Sequence, residues 1–429
     1  MSPQPHIIIV GGGFAGLYAA QNLAELPAIV TLIDRRNFHL FQPLLYQVAT
    51  GGLSPANIAA PLRAILKQQK NTSVVLGEVN NIDARSQSLF LADGSCYSYD
   101  YLVLATGASH NYFGNDSWER YAPGLKTIED ATEIRRRLLS AFEAAELEPD
   151  PIKQRDLIRF VIVGGGATGV ELSGAIGEIA HQTLKDNFRN FDPAEAEIIL
   201  LEGGTRILES FAPQLSEKAK LALERLGVTV LESSFVTDIQ SDSVSFRRAD
   251  KTERIITSCV LWAAGVQASP LGRILARETG VSLDRAGRVM VASDLSIPGH
   301  DNIFVLGDLA CVVQAGKQVP GVAPAAMQSG AYIAKVLKHR IGNSRPPPST
   351  FYYRDRGSMA TIGRSLAVAQ IGRLSLSGFI AWIAWLFIHI MFLVEFSNRI
   401  LVVVQWGWNY LTRNRTARLI TGENTTEKR

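Results

Sequence analysis

The 429-residue chain is poor in cysteine and close to electrically neutral, and each property excludes whole classes of protein. Its three cysteines, Cys96, Cys259 and Cys311, lie far apart and form no CxxC pair. This spacing excludes a disulfide-framed fold, a cysteine-ligated zinc site and an iron–sulfur cluster, and we predict no metal site and a reducing compartment. Lys and Arg number 43 against 40 Asp and Glu. With no basic run in the body of the chain, we expect no nucleic-acid partner.

The start of the chain shows no targeting signal. Met1 to His6 lacks a basic region, and the apolar run that begins at Ile7 leads directly into glycines. Hydrophobic residues make up 47% of the chain, far more than in a disordered polypeptide. At about 150 residues per domain, the length predicts two or three domains, each with its own core.

The first motif follows a short β-branched run at residues 6–10, which predicts a buried parallel strand. Gly11, Gly13 and Gly16 come next at GxGxxG spacing, ahead of a helical segment. The first glycine permits a tight turn, the second lets the backbone approach a pyrophosphate, and the third lets the helix pack on the strand. A second predicted strand ends at Asp34, whose carboxylate can accept ribose hydroxyls. Together these features predict a dinucleotide site.

The same pattern occurs again about one domain length later. Residues 159–163 form a second β-branched run, followed by Gly164, Gly166 and Gly169, and a later predicted strand ends at Glu202. Two such units predict two bound dinucleotides. The acidic loop at 186–196 makes the gap before Glu202 longer than usual. If Glu202 holds the ribose, its charge disfavours a 2′-phosphate and favours NADH over NADPH.

Three further strand ends support this organisation. A late predicted strand ends in Gly307-Asp308, where two-dinucleotide flavoproteins bring a strand back to the FAD domain. Ala105-Thr106-Gly107 and Ala264-Gly265 end apolar runs in the positions expected for crossings between two nucleotide domains. We predict an α/β protein with two Rossmann-like dinucleotide-binding domains and a C-terminal helical membrane-attachment segment. The predicted divisions are FAD domain 1–111 and 291–345, NADH domain 112–290, and attachment region 346–429.

Taken together, these motifs resemble those of the type II NADH:quinone oxidoreductases, single-subunit flavoenzymes that pump no protons. The matching stretches are GGGFAG (11–16), NFHLFQPLLYQVATG (37–51), ATG (105–107), GGGATGVEL (164–172), WAAGV (262–266), FVLGDLA (304–310), VPGVAPAAMQSG (319–330) and GSMATIGR (357–364). The glycine motifs are shared by many flavin reductases, whereas PLLYQVATG, GVELSG and GSMATIG are much more specific. The resemblance covers nearly the whole chain.

The resemblance implies one non-covalent FAD, oxidation of NADH and reduction of a membrane quinone by hydride transfer through the flavin. The residues expected to bind the two cofactors are Gly11, Gly13, Phe14, Ala15, Gly16, Asp34, Ala105, Thr106, Gly107, Gly164, Gly166, Gly169, Glu202, Gly265, Gly307, Asp308 and Ala326.

Three residues are candidates for the catalytic steps. Glu171 follows the second glycine motif, and the matching family glutamate lies at the flavin; the alternative is a carboxylate that only complements the helix dipole. Gln328 matches a family glutamine near flavin and quinone, and Gln47 is its candidate partner. Hydrogen bonding to backbone is the alternative for both. Many relatives carry a glutamine where this chain has Pro324, so a two-glutamine quinone site does not carry over in full.

Near the C-terminus the chain has few charges and many aromatic side chains. The 38 residues from Leu374 to Leu411 hold two charged side chains and four of the six tryptophans. Leu374 to Val394 predicts an apolar helix of about 31 Å, one hydrocarbon thickness. The following segment, 400–411, is too short to span a membrane, and basic residues come after it: Arg413, Arg415 and Arg418.

This pattern predicts peripheral or monotopic attachment to the membrane surface through residues 374–418, with the arginines on anionic headgroups. We expect the cytoplasmic side, because NADH is available there. A single span stays open, although it would carry the basic tail across against the positive-inside tendency. A buried helix at the interface of a homodimer also stays open.

Two other functions share this architecture. A sulfide:quinone oxidoreductase normally uses paired redox cysteines beside its flavin, and the cysteine spacing here gives no obvious pair. A regulatory flavoprotein would bind NADH but reduce quinone poorly. The PLLYQVATG motif, Gln328 and the C-terminal segment favour the quinone reductase over both.

Overall fold

Apolar runs of the sequence form the strands of the computed structural model, which describes residues 4–342, 345–394, 396–412, 415 and 417–421. The strands are β1 (His6–Val10), β2 (Ile29–Asp34), β3 (Phe38–Leu40), β4 (Ala59–Pro61), β5 (Thr72–Leu76), β6 (Val79–Asp83), β7 (Ser88–Leu91), β8 (Cys96–Ser98), β9 (Tyr101–Leu104), β10 (Ala108–His110), β11 (Arg159–Val163), β12 (Glu197–Leu201), β13 (Val228–Leu231), β14 (Phe235–Ile239), β15 (Ser243–Arg248), β16 (Lys251–Ile256), β17 (Cys259–Trp262), β18 (Val266–Ala268), β19 (Val289–Met290), β20 (Ser296–Ile297), β21 (His300–Val305), β22 (Ala310–Cys311), β23 (Val313–Gln314), β24 (Lys317–Gln318), β25 (Ser358–Ile362), β26 (Leu366–Ile371) and β27 (Leu374–Gly378). The helices are α1 (Phe14–Asn22), α2 (Leu45–Ala49), α3 (Pro55–Ile58), α4 (Leu62–Leu66), α5 (Ile128–Leu147), α6 (Pro151–Leu157), α7 (Ala167–Glu178), α8 (Pro213–Arg225), α9 (Leu271–Thr279), α10 (Ala323–Gly342), α11 (Phe379–Phe392) and α12 (Phe396–Thr412).

The described residues form two compact units. The first unit draws on Met1–Leu40, Ala59–Ser109 and Val266–Arg356, and the second on Phe41–Ile58, His110–Gly265 and Gly357–Arg429. The chain passes from the first unit to the second after Ser109, two residues past the ATG motif, and returns after Gly265, within the WAAGV motif. The units divide the chain differently from the predicted domains. Residues 266–290 and 346–356 belong to the first unit, while 41–58 and the rest of the predicted attachment region belong to the second.

The first unit is built on a six-stranded sheet in the order β20-β21-β9-β1-β2-β5. β1 pairs in parallel with both β2 and β9, and β9 pairs in parallel with β21. Ile7, Ile8 and Ile9 are fully buried, as expected for a central strand with both faces covered. The strand that returns late in the sequence, β21, thus lies in the same sheet as the N-terminal glycine motif, as predicted.

The second unit repeats this design on a smaller scale. Its parallel sheet has the order β13-β12-β11-β17, with β11 in the centre beside β12 and β17. An antiparallel sheet, β14-β15-β16, follows β13 in the chain. α5 begins with a capping box in which Thr127 and Asp130 bind each other's backbone N–H groups.

The predicted helix from Leu374 to Val394 is wrong in its first part. Leu374–Gly378 is β27, which pairs antiparallel with β26, itself paired with β25. The alternation of Leu374 and Leu376 with Ser375 and Ser377 has the period of two that favours a strand. Gly378, at φ +78°, then lets the chain turn into α11.

α11 and α12 each expose one apolar stripe while the opposite side is buried. On α11 the stripe is Ile380, Ile383, Phe387 and Met391, and Trp385 on the other side is 2% exposed. On α12 the exposed stripe is Leu401, Val404, Trp408 and Leu411, and Val402 is fully buried. Within the described ranges, no helix is both long and apolar enough to span a bilayer. Arg413, part of the predicted basic tail, lies outside the described residues.

Candidate active site

The first glycine motif forms a tight turn that only glycine can make. Gly11 has φ +105°, and a Cβ there would overlap the carbonyl oxygen of Ala105 at the end of β9. A Cβ at Gly16 would overlap the carbonyl oxygen of Gly11, so this glycine lets α1 pack against the turn. By contrast, no described atom lies within 4 Å of a Cβ built on Gly13. The turn is therefore closed on the protein side and open at Gly13.

Asp34 is fixed at the end of β2 by two backbone donors. Its two carboxylate oxygens accept hydrogen bonds from the N–H groups of Gly12 and Arg36. Burial raises the pKa of Asp34, and these two backbone bonds together with the charges of Arg35 and Arg36 oppose that rise. The carboxylate stands beside the glycine turn, and each oxygen has a second lone pair for a ribose hydroxyl.

The other predicted FAD residues in the first unit gather at the N-terminal end of α1. A Cβ on Gly307 would stand 3.3 Å from the Cβ of Ala15 and 3.5 Å from that of Ala326. Thr106 Oγ1 and His39 Nε2 are buried and have no hydrogen-bond partner among the described residues. Buried polar atoms usually have partners, so these two atoms point to a polar group that the protein itself does not supply.

A cleft of about 690 Å³ lies beside this cluster and is lined by Gly307, Asp308, Ala326, Arg288 and Phe351, among others. The open Gly13, the Asp34 carboxylate, the unpaired Thr106 hydroxyl and this cleft together fit the predicted FAD. Phe14 and Gly107 belong to the same motifs: Phe14 begins α1, and Gly107, at φ +68°, follows β9.

The second glycine motif repeats the first turn in the second unit. Gly164 has φ +107°, and a Cβ there would stand 2.8 Å from the carbonyl carbon of Ala263. A Cβ at Gly169 would overlap the carbonyl oxygen of Gly164, whereas one at Gly166 would meet no described atom within 4 Å. Glu202 occupies the position that Asp34 has in the first unit, and we infer a second dinucleotide site.

Glu202 makes bonds equivalent to those of Asp34. Its two carboxylate oxygens accept hydrogen bonds from the N–H groups of Gly165 and Gly204. The longer connection before β12 therefore does not displace Glu202 from the glycine turn. Gly265, after β17, has φ +76° and lies against the ring of Phe113, which a Cβ would approach to 2.5 Å.

Glu171 lies one turn into α7, partly buried against the strand that carries the GSMATIG motif. Its carboxyl accepts a hydrogen bond of 3.3 Å from the backbone N–H of Thr361 on β25. Desolvation by the surrounding protein raises the pKa of Glu171 to about 8, against the lowering effects of the Thr361 backbone N–H and hydroxyl. A carboxyl with this pKa keeps its proton at neutral pH and can release it during a reaction.

Gln47 lines a cleft of about 750 Å³ in the second unit. The walls include the aromatic side chains of Trp382, Trp385, Trp406 and Tyr410, and we call this space the aromatic cleft. Gln47 Nε2 donates to the hydroxyl of Tyr46 at 3.1 Å, and Gln47 Oε1 accepts from the indole N–H of Trp406 at 2.7 Å. An amide group has two N–H donors and two oxygen lone pairs, so Gln47 keeps one of each for a ligand.

Gln328 lies in the first unit, on α10, whereas Glu171 and Gln47 belong to the second unit. Both ends of its amide bind the backbone of Arg354: Nε2 donates to the carbonyl at 3.0 Å, and Oε1 accepts from the N–H at 2.9 Å. These bonds are the structural alternative that the sequence leaves open. One N–H and one lone pair stay available, so the quinone role of Gln328 remains a prediction.

Glu178 and Arg415 form an ion pair at one wall of the aromatic cleft. Arg415 Nη2 binds Glu178 Oε2 at 2.9 Å, and Arg415 Nη1 donates to the Thr50 hydroxyl at 2.7 Å. The Arg415 side chain is 14% exposed and the Glu178 side chain is 8% exposed, so the pair is largely desolvated. Loss of either partner would leave a buried unpaired charge, which gives Glu178 a structural role.

Several residues of this cleft have no signal in the sequence. Tyr46 lies next to Gln47 in a recognised motif, but nothing marks its hydroxyl as the partner of Thr361, more than 300 residues away. Trp406 and Arg415 read in sequence only as membrane-interface residues. His39 is buried and packs edge-on against Phe14, with Nδ1 hydrogen-bonded to the backbone carbonyl of Gly12.

The three cysteines are free, and no two of them are close in sequence. Cys96 is exposed, whereas Cys259 and Cys311 are buried, and burial raises the pKa of both buried thiols. In the part of the chain that the structure describes, no group of three or more His, Cys, Asp or Glu side chains could hold a metal ion.

Comparison with known proteins identifies the family. The model of the pyridine nucleotide-disulphide oxidoreductases matches residues 5–330. The chain is 44% identical to the type II NADH:quinone oxidoreductase Ndh of Mycobacterium tuberculosis, with 98% of this chain and 91% of that protein covered. It is 45% identical to NdhA of the same organism, with 97% and 89% covered.

Solved structures support the fold. NDH2 from Plasmodium falciparum in complex with NADH has a TM-score of 0.89 at 20% identity, with 98% of this chain and 100% of that chain covered. The sulfide:quinone oxidoreductase of Aquifex aeolicus has a lower TM-score of 0.72 at 18% identity. These likenesses confirm the predicted α/β fold. On the family model and on relatives that are 44–45% identical over almost its full length, the chain belongs to the pyridine nucleotide-disulphide oxidoreductases and, within them, to the type II NADH:quinone oxidoreductases.

Proposed function

We propose that this protein oxidises NADH and reduces a membrane quinone to the quinol, with FAD as its resident cofactor. The observation that carries this proposal is the pair of matched glycine turns, each with its own acid at a strand end, in a chain of this family. The overall reaction consumes one NADH, one proton and one quinone. When bound, FAD supplies the two-electron chemistry that links NADH to the quinone.

The two units hold the two dinucleotides by the same means. Gly13 and Asp34 of the first unit receive the pyrophosphate and the ribose of FAD, and the helix N-terminus of α1 attracts the phosphates. Gly166, Glu202 and the start of α7 do the same for NADH in the second unit. Because Gly11, Gly16, Gly164 and Gly169 have no Cβ, each turn can lie close to its helix and strand.

Glu171 is proposed to be a protonated carboxyl group beside the NADH site. Its position two residues after Gly169 brings it near the bound nicotinamide, and its pKa of about 8 keeps it protonated at neutral pH. The proton that quinone reduction consumes can come from this carboxyl, because Thr361 stabilises the carboxylate that is left behind.

The quinone is proposed to enter the aromatic cleft that Gln47 lines. Flat aromatic walls suit a quinone ring, and the free N–H of Gln47 can donate to a quinone carbonyl. Gln328 of the first unit is, by resemblance, also a candidate to bind the quinone. Its amide is already bound to Arg354, so it must serve the quinone with its remaining N–H.

Gln47→Ala and Gln328→Ala test this assignment by half-reaction. We expect each variant to slow reoxidation of the reduced flavin by quinone several-fold more than it slows reduction by NADH. Rapid-mixing absorbance measurements separate the two rates. Equal effects on both half-reactions would remove the residue concerned from the quinone site, and Gln314→Ala, which also binds backbone in the first unit, is a matched control for Gln328→Ala.

Discrimination between NADH and NADPH is assigned to Glu202. Glu202→Gln should raise the Michaelis constant for NADH by roughly tenfold, because a hydrogen bond to a charged group contributes about 1.5–3 kcal/mol. It should also narrow the preference over NADPH, since the repulsion of the 2′-phosphate is lost. The ratio of kcat/KM for the two nucleotides is the measurement. Glu209→Gln, exposed in the following loop, should leave the ratio as it is; an unchanged ratio in Glu202→Gln contradicts the ribose assignment.

Attachment to a membrane is proposed for the apolar stripes of α11 and α12. Two neighbouring helices that expose isoleucine, phenylalanine, leucine and tryptophan along one side are suited to lie in the membrane interface. This position brings the aromatic cleft to the bilayer, where the quinone dissolves. The cytoplasmic side is proposed because NADH must reach the second unit. A homodimer that covers the same stripes is the alternative.

Charge on the α11 stripe should release the protein from membranes. Ile380 and Phe387 are 70% and 65% exposed, and burial of such a side chain in lipid contributes about 1.5–3 kcal/mol. Ile380→Glu with Phe387→Glu should therefore weaken binding to phosphatidylglycerol-containing vesicles by roughly 100-fold or more in a sedimentation assay. Leu147→Glu is the control, because Leu147 is 84% exposed on α5. Unchanged vesicle binding of the double variant would show that the attachment lies elsewhere.

Steady-state quinone reduction tests the function itself. The purified protein should reduce a short-chain quinone with NADH and not with sulfide. Turnover with sulfide in place of NADH would favour the sulfide:quinone oxidoreductase, and NADH binding without quinone turnover would favour a regulatory flavoprotein.

A further inference from the structure

A row of hydrogen bonds joins Trp406 on α12 to Glu171 on α7, all within the second unit. The Trp406 indole N–H donates to Gln47 Oε1 at 2.7 Å, and Gln47 Nε2 donates to the Tyr46 hydroxyl at 3.1 Å. The Tyr46 hydroxyl lies 3.0 Å from the Thr361 hydroxyl. Thr361 lies against Glu171: its backbone N–H donates to the carboxyl at 3.3 Å, and its hydroxyl helps to lower the pKa of that carboxyl. An apolar helix and a buried carboxyl are thus linked through three intermediate side chains.

The donor at the Trp406 end sets the direction of the whole row. An indole N–H can only donate, so the group of Gln47 that faces it must be the oxygen. The amide nitrogen of Gln47 then faces Tyr46, whose oxygen accepts from it and whose proton is directed onward to Thr361. Thr361 in turn has its own proton free to donate to Glu171. Every hydrogen bond in the row therefore points from the indole towards the carboxylate.

Water cannot readily replace these bonds in the middle of the row. Tyr46 is 8% exposed and Thr361 is 1% exposed. Trp406 is held against Trp385, with ring centroids 5.4 Å apart, so its N–H has a fixed aim. Hydrogen bonds in a buried row polarise one another, and the group at the far end experiences the combined effect.

We propose that Trp406 is a positioning residue: its indole N–H fixes the orientation of Gln47 and Tyr46 and so keeps the Thr361 hydroxyl donating to Glu171. The proposal rests on the role given to Glu171 under the proposed function. Without the indole N–H, the Gln47 amide can turn over, Tyr46 can donate to it, and the Thr361 proton can turn from Glu171 to Tyr46. The Glu171 carboxylate would then lose a donor.

The charged surroundings leave this row as the main adjustable influence on Glu171. Tyr46 on α2 is the titratable group that faces it, and burial raises the pKa of that hydroxyl, which keeps it neutral. On α7 itself, Glu178 is paired with Arg415, and Arg364, after β25, has its guanidinium over the ring of Tyr410. Within the described part of the chain, burial and the Thr361 bonds are the causes that set the Glu171 pKa.

Trp406→Phe tests the proposal, because it keeps the ring and removes only the N–H. In the FAD-loaded enzyme at rest, infrared titration follows the carbonyl band of the protonated Glu171, assigned by its loss in Glu171→Gln. We expect Trp406→Phe to raise the apparent pKa of Glu171 by about one pH unit, roughly the effect of one hydrogen bond to a charged group. Trp408→Phe, on the exposed side of the same helix, should leave it unchanged. If the apparent pKa of Glu171 is the same in Trp406→Phe and in the wild type, the proposal is overturned.

A second variant shows whether the effect travels through the row. In Tyr46→Phe the link is cut, so adding Trp406→Phe should cause no further shift, and the two changes should be strongly non-additive. Full additivity would mean that Trp406 acts on Glu171 by another route, and it overturns the proposal. The titration needs neither NADH nor quinone. The absence of a shift in the Glu171 pKa can therefore be distinguished from the absence of the proposed function. Steady-state quinone reduction measures that function in the same preparations.

Discussion

Gly169→Ala should lower NADH oxidation by roughly 100-fold or more while the protein stays yellow with bound FAD. The new Cβ would overlap the carbonyl oxygen of Gly164, so α7 must move away from the glycine turn. The turn is proposed to hold the NADH pyrophosphate and so to fix where the nicotinamide lies, and a misplacement of about 1 Å costs roughly 100-fold in rate. We expect kcat/KM for NADH to fall by at least that factor, measured as NADH-dependent quinone reduction.

Gly16→Ala is the matched change in the first unit, and it should impair FAD binding. A Cβ on residue 16 would overlap the carbonyl oxygen of Gly11, so we expect a protein with little FAD. Gly407→Ala, where a Cβ meets no described atom within 4 Å, serves as a control and should keep both FAD and activity. Loss of FAD from Gly169→Ala, or full NADH oxidation by it, would contradict the assignment of the two turns to two different dinucleotides.

Glu171→Gln should lower quinone reductase turnover by about 10²–10⁴-fold, the usual contribution of a general acid or base. The raised pKa of Glu171 sets the direction in which turnover should change with pH. Burial raises the Glu171 pKa from 4.5 to about 8, so the carboxyl is mostly protonated at pH 7 and loses its proton as the pH passes through 8. Wild-type turnover should therefore fall above pH 8, and this decline should be absent in the glutamine variant.

Two comparisons separate this role from general damage. FAD content and the melting temperature of Glu171→Gln should match wild type, because glutamine has the same shape and still accepts the Thr361 bond. Glu217→Gln, at an exposed position of α8, should retain full turnover and the wild-type pH profile. A glutamine variant with near-normal turnover would leave Glu171 with only the helix-dipole role.

Local signals in the sequence were sufficient for the nucleotide units. The β-branched runs 6–10 and 159–163 coincide with β1 and β11, because continuous apolar runs are what buried parallel strands require. The glycine spacing and the acids at 34 and 202 are recognisable in the sequence because their contacts, such as Asp34 with Gly12 and Glu202 with Gly165, lie within one βαβ unit. The late strand predicted before Gly307 is β21 (His300–Val305).

The C-terminal region and the aromatic cleft depend on contacts that no local pattern encodes. The overall hydrophobicity of this region predicts one long helix from Leu374. It obscures the short Leu-Ser alternation that forms β27. The bond from Trp406 to Gln47 joins residues 359 positions apart, and the Arg415–Glu178 pair joins residues 237 apart. The sequence identifies such side chains as interface aromatics and basic tail residues, but only the folded chain shows that they line a cleft.

The most direct test of the central claim is an anaerobic two-step titration of the purified yellow protein. NADH is added first while the visible flavin band is followed, and a short-chain quinone is added second. The proposed function predicts fast bleaching by NADH and fast recovery of the band with quinone. Absence of bleaching by NADH would contradict the second dinucleotide site, and bleaching without recovery would contradict the quinone reductase.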